Sequence, residues 1–146
     1  VALYGSIKGP TKPPAVDWLR QAIETEFAMA GLVASQDKNT ALPSLDIVVE
    51  QFFVEQVDNF FLFLILCDQA AITMVRVKLT SSDGSIAFER RFVGHIESIN
   101  QVAYVYPFFL MGKDYELADL LHQTAQKALS EAAAETRTLF ERGEIQ

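Results

Sequence analysis

The sequence predicts an α+β fold: a mostly antiparallel sheet of about four strands with two helices packed on one face, in the order β-α-β-β-β-α. Three observations carry that expectation. Two segments repeat apolar residues at helical spacing, and long runs of two-residue alternation lie between them. The last two runs are joined by Ser81-Ser82-Asp83-Gly84-Ser85, a hairpin signal in which glycine supplies the positive φ of a tight turn.

Taken in order, Val1 to Ile7 alternate loosely and read as a short edge strand. Gly9-Pro10-Thr11-Lys12-Pro13-Pro14 follows; its prolines fix φ and remove donors, giving a stiff connector. The first helix is expected over Ala15 to Ala30, where Val16, Leu19, Ile23, Phe27 and Ala30 line one face. Gly31 stands where a left-handed C-terminal residue belongs. Trp18 lies beside the stripe and reads as the rim of a contact surface. Ser35 to Pro43 is polar loop. A strand is expected over Leu45 to Glu55, with bulky groups in both phases, which implies partial cover on both faces.

Val57-Asp58-Asn59 then breaks the run, and Phe60 to Cys67 follows with no alternation. Further strands are expected over Ala70 to Thr80 and Ile86 to His95. Ile96 to Gly112 reads as a hydrophobic loop, since Pro107 argues against a central strand. The closing helix is expected over Tyr115 to Arg142, with Asp114 as N-cap and Gly143 as its stop. Its stripe includes Leu121, Ala125, Ala128, Leu129, Ala132 and Thr136. The alanines favour helix and permit close approach to a sheet.

A chain of 146 residues, half of them apolar and 21% charged, is one domain spanning residues 1–146, with enough length to bury a core. A net charge of -7, from 12 basic against 19 acidic residues, argues against a nucleic-acid partner. The single cysteine, Cys67, excludes an intramolecular disulfide and a Cys-rich zinc site. With His95 and His122 as the only histidines, no metal centre is expected. No cofactor is expected either, because no glycines fall at dinucleotide or P-loop spacing. The longest apolar run, Phe60 to Cys67, is far short of the roughly 20 residues of a spanning helix. The first residue is Val1 rather than Met, which reads as a processed or trimmed chain.

Catalytic constellations find little support. Glu24 and Glu26 sit on a helix surface, and Glu50 and Glu55 flank a strand; a solvated face accounts for all four. Cys67 would need His95 or His122 within hydrogen-bond reach to act as a nucleophile, and it ends an apolar run where an inert buried thiol is expected. His95 closes a strand. His122 reads as a packing residue or a strand-to-helix hydrogen bond. Arg76, Lys78, Arg90 and Arg91 read as a solvated outer sheet face with cross-strand pairs to Glu89 rather than as an anion site. No catalytic residue is assigned, and no enzymatic activity is expected.

The informative segments are 60–67 and 102–111, which read as insertions or contact surfaces. Phe60, Phe61, Phe63, Tyr104, Tyr106, Phe108 and Phe109 are the candidate contact or ligand-lining residues. In one reading they fold back and close the core. In the other they form a docking surface for a protein partner, a second copy in a homo-oligomer, or lipid, because a large exposed cluster is unstable without cover. The alternative function is a small-ligand or lipid carrier whose apolar cavity these aromatics would line.

Asp17-Trp18-Leu19-Arg20 through Ala30-Gly31-Leu32 resembles the first helix of the YajG-like lipoproteins. The resemblance continues through Ser44-Leu45-Asp46-Ile47-Val48-Val49, Gln69 to Lys78, Arg91-Phe92-Val93-Gly94, and Ala118-Asp119 with Leu129, and covers about Val16 to Phe140. It implies a small bacterial envelope protein on the periplasmic side, tethered to the outer membrane by lipid on a cysteine upstream of Val1. The auxiliary lipoproteins of ABC-type lipid transport systems are similar in layout. Two departures stand out: the family's middle strand is polar where Phe60 to Leu66 is apolar, and Val102 to Met111 looks like an apolar insertion. The resemblance brings no catalytic residues.

Overall fold

The computed structural model describes residues 15–32, 42–61, 64–105 and 113–143. They form α1 (Ala15–Met29), β1 (Ser44–Phe61), β2 (Leu64–Thr80), β3 (Ile86–Val105) and α2 (Lys113–Glu141). The strands make one antiparallel sheet in the order β1-β2-β3. Both helices pack on the same face, so the fold is α+β, with three described strands where about four were expected. The expected strand over Val1 to Ile7 and the proline-rich connector lie outside the described residues.

The strands are longer than their alternation suggested. Val57-Asp58-Asn59 does not end β1: these residues pair with Asp68, Cys67 and Leu66. Phe60 to Cys67 is therefore no separate segment. Phe60 and Phe61 close β1, and Leu64 opens β2. Residues 96–105, expected as loop, continue β3. Ladder hydrogen bonds satisfy the backbone whatever the side chains, so two or three polar residues do not break a strand whose neighbour β2 continues alongside.

A bulge in β1 explains why both of its phases are bulky. Val49 pairs with Val75 and Gln51 with Met74, which leaves Glu50 as the extra residue. Before the bulge Leu45, Ile47 and Val49 face the helices; after it Phe52 and Val54 do. Each half alternates cleanly, and the phase switches between them. Among the described residues the helices cover one face of the sheet, and on the other Val48, Phe53, Ile72 and Met74 are half-buried.

The core forms between that face and the helices. β2 contributes Ala71, Thr73, Val75, Val77 and Leu79, all buried. α2 lays Leu121, Thr124, Ala125, Ala128, Leu129, Ala132 and Thr136 against the sheet, and α1 adds Leu19 and Phe27. Burying each large side chain contributes about 1.5 to 3 kcal/mol. The small residues on α2 let it sit close: a Cβ on Gly94 of β3 would overlap the Thr124 carbonyl. At the same level Thr73 Oγ1 and Thr124 Oγ1 lie 2.8 Å apart, fully buried.

The helix ends follow local chemistry. Gly31 has φ +83°, with Leu32 N–H donating to the Phe27 carbonyl at 2.9 Å and Gly31 N–H to Ala28 at 2.9 Å, a Schellman closure. Gly143, at φ +67°, ends α2 as expected. Asp114 is a residue of α2 rather than its N-cap, because the helix starts at Lys113. In the β2–β3 hairpin Gly84 has φ +86°, and Asp83 Oδ1 accepts from Ser85 N–H at 2.9 Å.

Candidate functional site

The ladder brings the two unusual apolar segments together at one end of the sheet. Phe60 pairs with Ile65 and Phe61 with Leu64; Ile65 in turn pairs with Tyr104, Leu64 with Val105 and Leu66 with Val102. Of the expected contact residues, Phe60, Phe61 and Tyr104 thus occupy neighbouring register positions. Phe63, Tyr106, Phe108 and Phe109 lie outside the described residues. Just inward the register is polar, with Asp58 opposite Cys67, Asp68 opposite Val57 and Gln69 opposite Ser98.

This end runs past the helices. Thr124 meets Gly94, and Glu135 meets Arg90, so α2 runs antiparallel to β3. From Thr124 back to Lys113, α2 covers about 16 Å. From Gly94 to Val105, β3 covers a contour of about 36 Å. The strands therefore extend about 20 Å beyond the start of α2. α1 touches this level at Trp18 and reaches no more than about 16 Å from it in either direction.

The open face of the sheet is the second surface. Phe53, Ile72 and Met74 are half-buried on it, and Val93 is 40% exposed. Beside them Arg76 and Arg91 are directly paired across β2 and β3, a like-charge juxtaposition that costs stability. The bulge residue resolves it. Glu50 reaches both cations, Arg91 Nε at 2.6 Å and Arg76 Nε at 3.1 Å. Glu89 adds a contact to Arg76 at 3.3 Å, the cross-strand pair expected for it. The hydrogen bond from Arg91 holds the Glu50 carboxyl below its ordinary value, against a smaller opposing effect of burial. Glu50 is thus more than a solvated strand residue. No sequence signal marked it, since a bulge leaves only a phase change in an already bulky strand.

The residues tested for nucleophilic chemistry are apart. His95 pairs with Ile72, five residues along β2 from Cys67, so about 16 Å of strand separates them. His95 Nε2 lies 3.3 Å from Glu97 and is exposed. His122 is stacked on Trp18, with ring centroids 3.9 Å apart and planes at 10°. Trp18 also stacks on Phe52 at 6.3 Å. Trp18 therefore joins α1, α2 and β1, half-buried against the edge of the core. Burial depresses the His122 pKa, opposed by the nearby Asp119 carboxylate.

An open groove of about 520 Å³ lies between β3 and α2, lined by Arg90, Phe92, Glu131, Glu135, Thr138 and Arg142 among others. Arg90 spans it, donating to Glu135 at 2.7 Å with its guanidinium 5.7 Å from the Phe92 ring. Its charged lining differs from the apolar cavity that a lipid carrier would need. Among the described residues no group of three or more His, Cys, Asp or Glu is placed to hold a metal, and no helix is long and apolar enough to cross a membrane.

No protein-family model matches the chain, and none of the curated proteins compared with it matches. Among solved structures the chain is similar to the crystal structure of a minor lipoprotein from Acinetobacter baumannii, at 10% identity and a TM-score of 0.44, over 98% of this chain and 92% of that one.

Proposed function

We propose that the chain is a domain of a bacterial cell-envelope lipoprotein on the periplasmic side, working without catalysis through contacts made by the apolar end of its sheet. One observation carries the contact reading: the register sets Phe60, Phe61, Leu64, Ile65 and Tyr104 side by side, about 20 Å past the start of α2. Aromatic and aliphatic anchors gathered at one place are the usual energetic centre of an interface. The envelope assignment rests on the resemblance of the first helix and the following strands to the YajG-like lipoproteins.

Photo-crosslinking in cells tests the contact reading. A benzophenone amino acid at position 61 or 104 of the full-length gene product is expected to give adducts; the same group at position 83, in the turn at the opposite end of the sheet, is expected to give none. Equal labelling at all three positions, or none at 61 and 104, would defeat it. Incorporation of labelled palmitate into the gene product tests the anchor separately.

A further inference from the structure

We propose that two copies of this chain join edge to edge through β3, antiparallel about a dyad at Gly94, so that one sheet runs across both. This surface is separate from the apolar end of the sheet. Among the described residues β3 is an edge strand. On its open face Arg91, Val93, His95 and Glu97 are all exposed, whereas Ile72 and Met74 beside them on central β2 are half-buried. A strand laid outside β3 would cover the first set as β1 and β3 cover the second, so the edge stands open along this stretch. From Arg90 to Ser98 the strand pairs with β2 residue for residue, without a bulge. A straight open edge is a template for a further strand.

Self-complementarity names the occupant. In an antiparallel pair of identical strands, residues directly opposite share one face of the sheet and their numbers have a constant sum. A dyad at Gly94 sets Arg91 opposite Glu97 of the second copy, and Glu97 opposite its Arg91. Val93 falls opposite His95 on the same face, and Phe92 opposite Ile96 on the covered face. Gly94 meets Gly94, so no side chain crowds the axis. Charges on an edge commonly guard it against pairing; here the dyad turns Arg91 and Glu97 into matched pairs. Other registers do not. A dyad at Arg90 or Arg91 sets an arginine against its own copy, one at Val93 sets Glu89 against Glu97, and one at Phe92 or His95 forms no arginine–carboxylate pair. β1, the other edge, carries Asp46, Glu50 and Glu55 and no basic residue, so a copy of itself repels it, and its bulge at Glu50 interrupts straight pairing.

The second copy also has room above the sheet. Thr124 of α2 sits between Thr73 of β2 and Gly94 of β3. That places α2 about one strand spacing, roughly 5 Å, from the dyad. The two α2 helices then lie about 10 Å apart, an ordinary helix-packing distance. Two-fold pairing uses the same surface of both copies and closes the assembly at two.

Light scattering on the full chain after size exclusion tests the proposal. The unsubstituted chain is expected at twice the 16.3 kDa of one copy. Arg91→Glu and Glu97→Arg each set like charges across the dyad twice, and each is expected to weaken association about tenfold or more. Mixed in equal amounts, the two variants restore both opposite-charge pairs, and the mass of two copies is expected to return. Glu24→Arg, a charge reversal on the exposed side of α1, is expected to leave the mass unchanged. Hydrogen exchange on the unsubstituted chain gives a readout free of any folding defect in the variants. Amides of residues 90–98 are expected to slow as concentration rises, and those of residues 44–55 in β1 to stay as they are. A mass of one copy at every concentration, a mass climbing past two copies, no association in the mixture, or slowing in β1 rather than in β3 would overturn the proposal.

Discussion

The covered and open faces of the sheet come from the same three strands and solve opposite problems. On the covered face small residues do the decisive work. Gly94, Thr73, Thr124 and the α2 alanines let helix backbone come against strand backbone, and nothing there has room to move. On the open face long charged side chains reach across the strands, and Glu50 stands between two arginines that the register forces together. Close packing transmits strain, whereas solvated side chains relax. The covered face should therefore be brittle to substitution and the open face tolerant.

Gly94→Val breaks that comparison most forcefully. The added Cβ meets the Thr124 carbonyl, a backbone atom of a long helix that no side-chain rotation can withdraw. We expect a loss of about 4 kcal/mol or more, at the extreme end for point substitutions. Val93→Thr, one residue away on the open face, is expected to change stability by less than about 1 kcal/mol. Urea unfolding followed by far-ultraviolet circular dichroism gives both values. Near-equal losses would show that the faces do not differ as described.

The buried threonine pair sharpens the same contrast at a smaller scale. Thr124 Oγ1 donates to the Leu121 carbonyl at 2.7 Å, so its single proton is committed and Thr73 must donate to Thr124. Thr124→Val strands the Thr73 hydroxyl without that acceptor and should cost about 2 kcal/mol. Thr73→Val removes only the donor, leaves Thr124 bonded to Leu121, and should cost about 1 kcal/mol or less. The same urea measurement ranks them, and a reversed order would show that the proton runs the other way.

Much of this fold could be read from residue order, for identifiable reasons. The helices announced themselves through Leu19, Ile23 and Phe27, and through the alanine-rich stripe around Leu129, because a helix buries one face at constant spacing. Asp83-Gly84 marked its hairpin because few residues accept that backbone geometry. The bulge escaped notice because Glu50 looks like any polar residue in an alternating strand; only pairing to β2 shows that it has no partner of its own. The extensions of β1 and β3 escaped for a related reason. Asp58-Asn59 has turn composition, and composition does not reveal a neighbouring strand. The stacking of Trp18 is not legible in the sequence, because its partners, Phe52 and His122, come from elements far along the chain. Phe60, Phe61 and Tyr104 were singled out by their lack of alternation, but their adjacency is a property of register and was not readable from spacing.

The His122 stack carries the comparison into pH. Burial lowers its folded pKa below the ordinary 6.5, so between those two values the unfolded chain binds more protons than the folded one. Stability is then full above about pH 6.5, falls as the pH drops toward the folded pKa, and is steady in this respect below it. His122→Gln should remove the slope in that window. Thermal melts across the pH range would decide, and an unchanged slope in the variant would assign it to another group.

Glu50 on the open face should titrate in a more acidic window, in the same direction and with the smallest effect. Its folded pKa is lowered from 4.5, mainly by the Arg91 hydrogen bond, so its contribution is complete above about pH 4.5 and disappears as the pH falls through the folded value. Both arginines are substantially exposed, and water and salt screen their attraction for Glu50. Glu50→Gln at neutral pH should therefore be mild, and its cost should shrink further as salt is added. What the substitution removes is the countercharge between Arg76 and Arg91, so a second change, Arg91→Gln, should recover part of the loss by ending the repulsion. A double-mutant cycle in low and high salt measures this. Independent, additive losses at low salt would mean that the bulge places Glu50 between the arginines without energetic consequence.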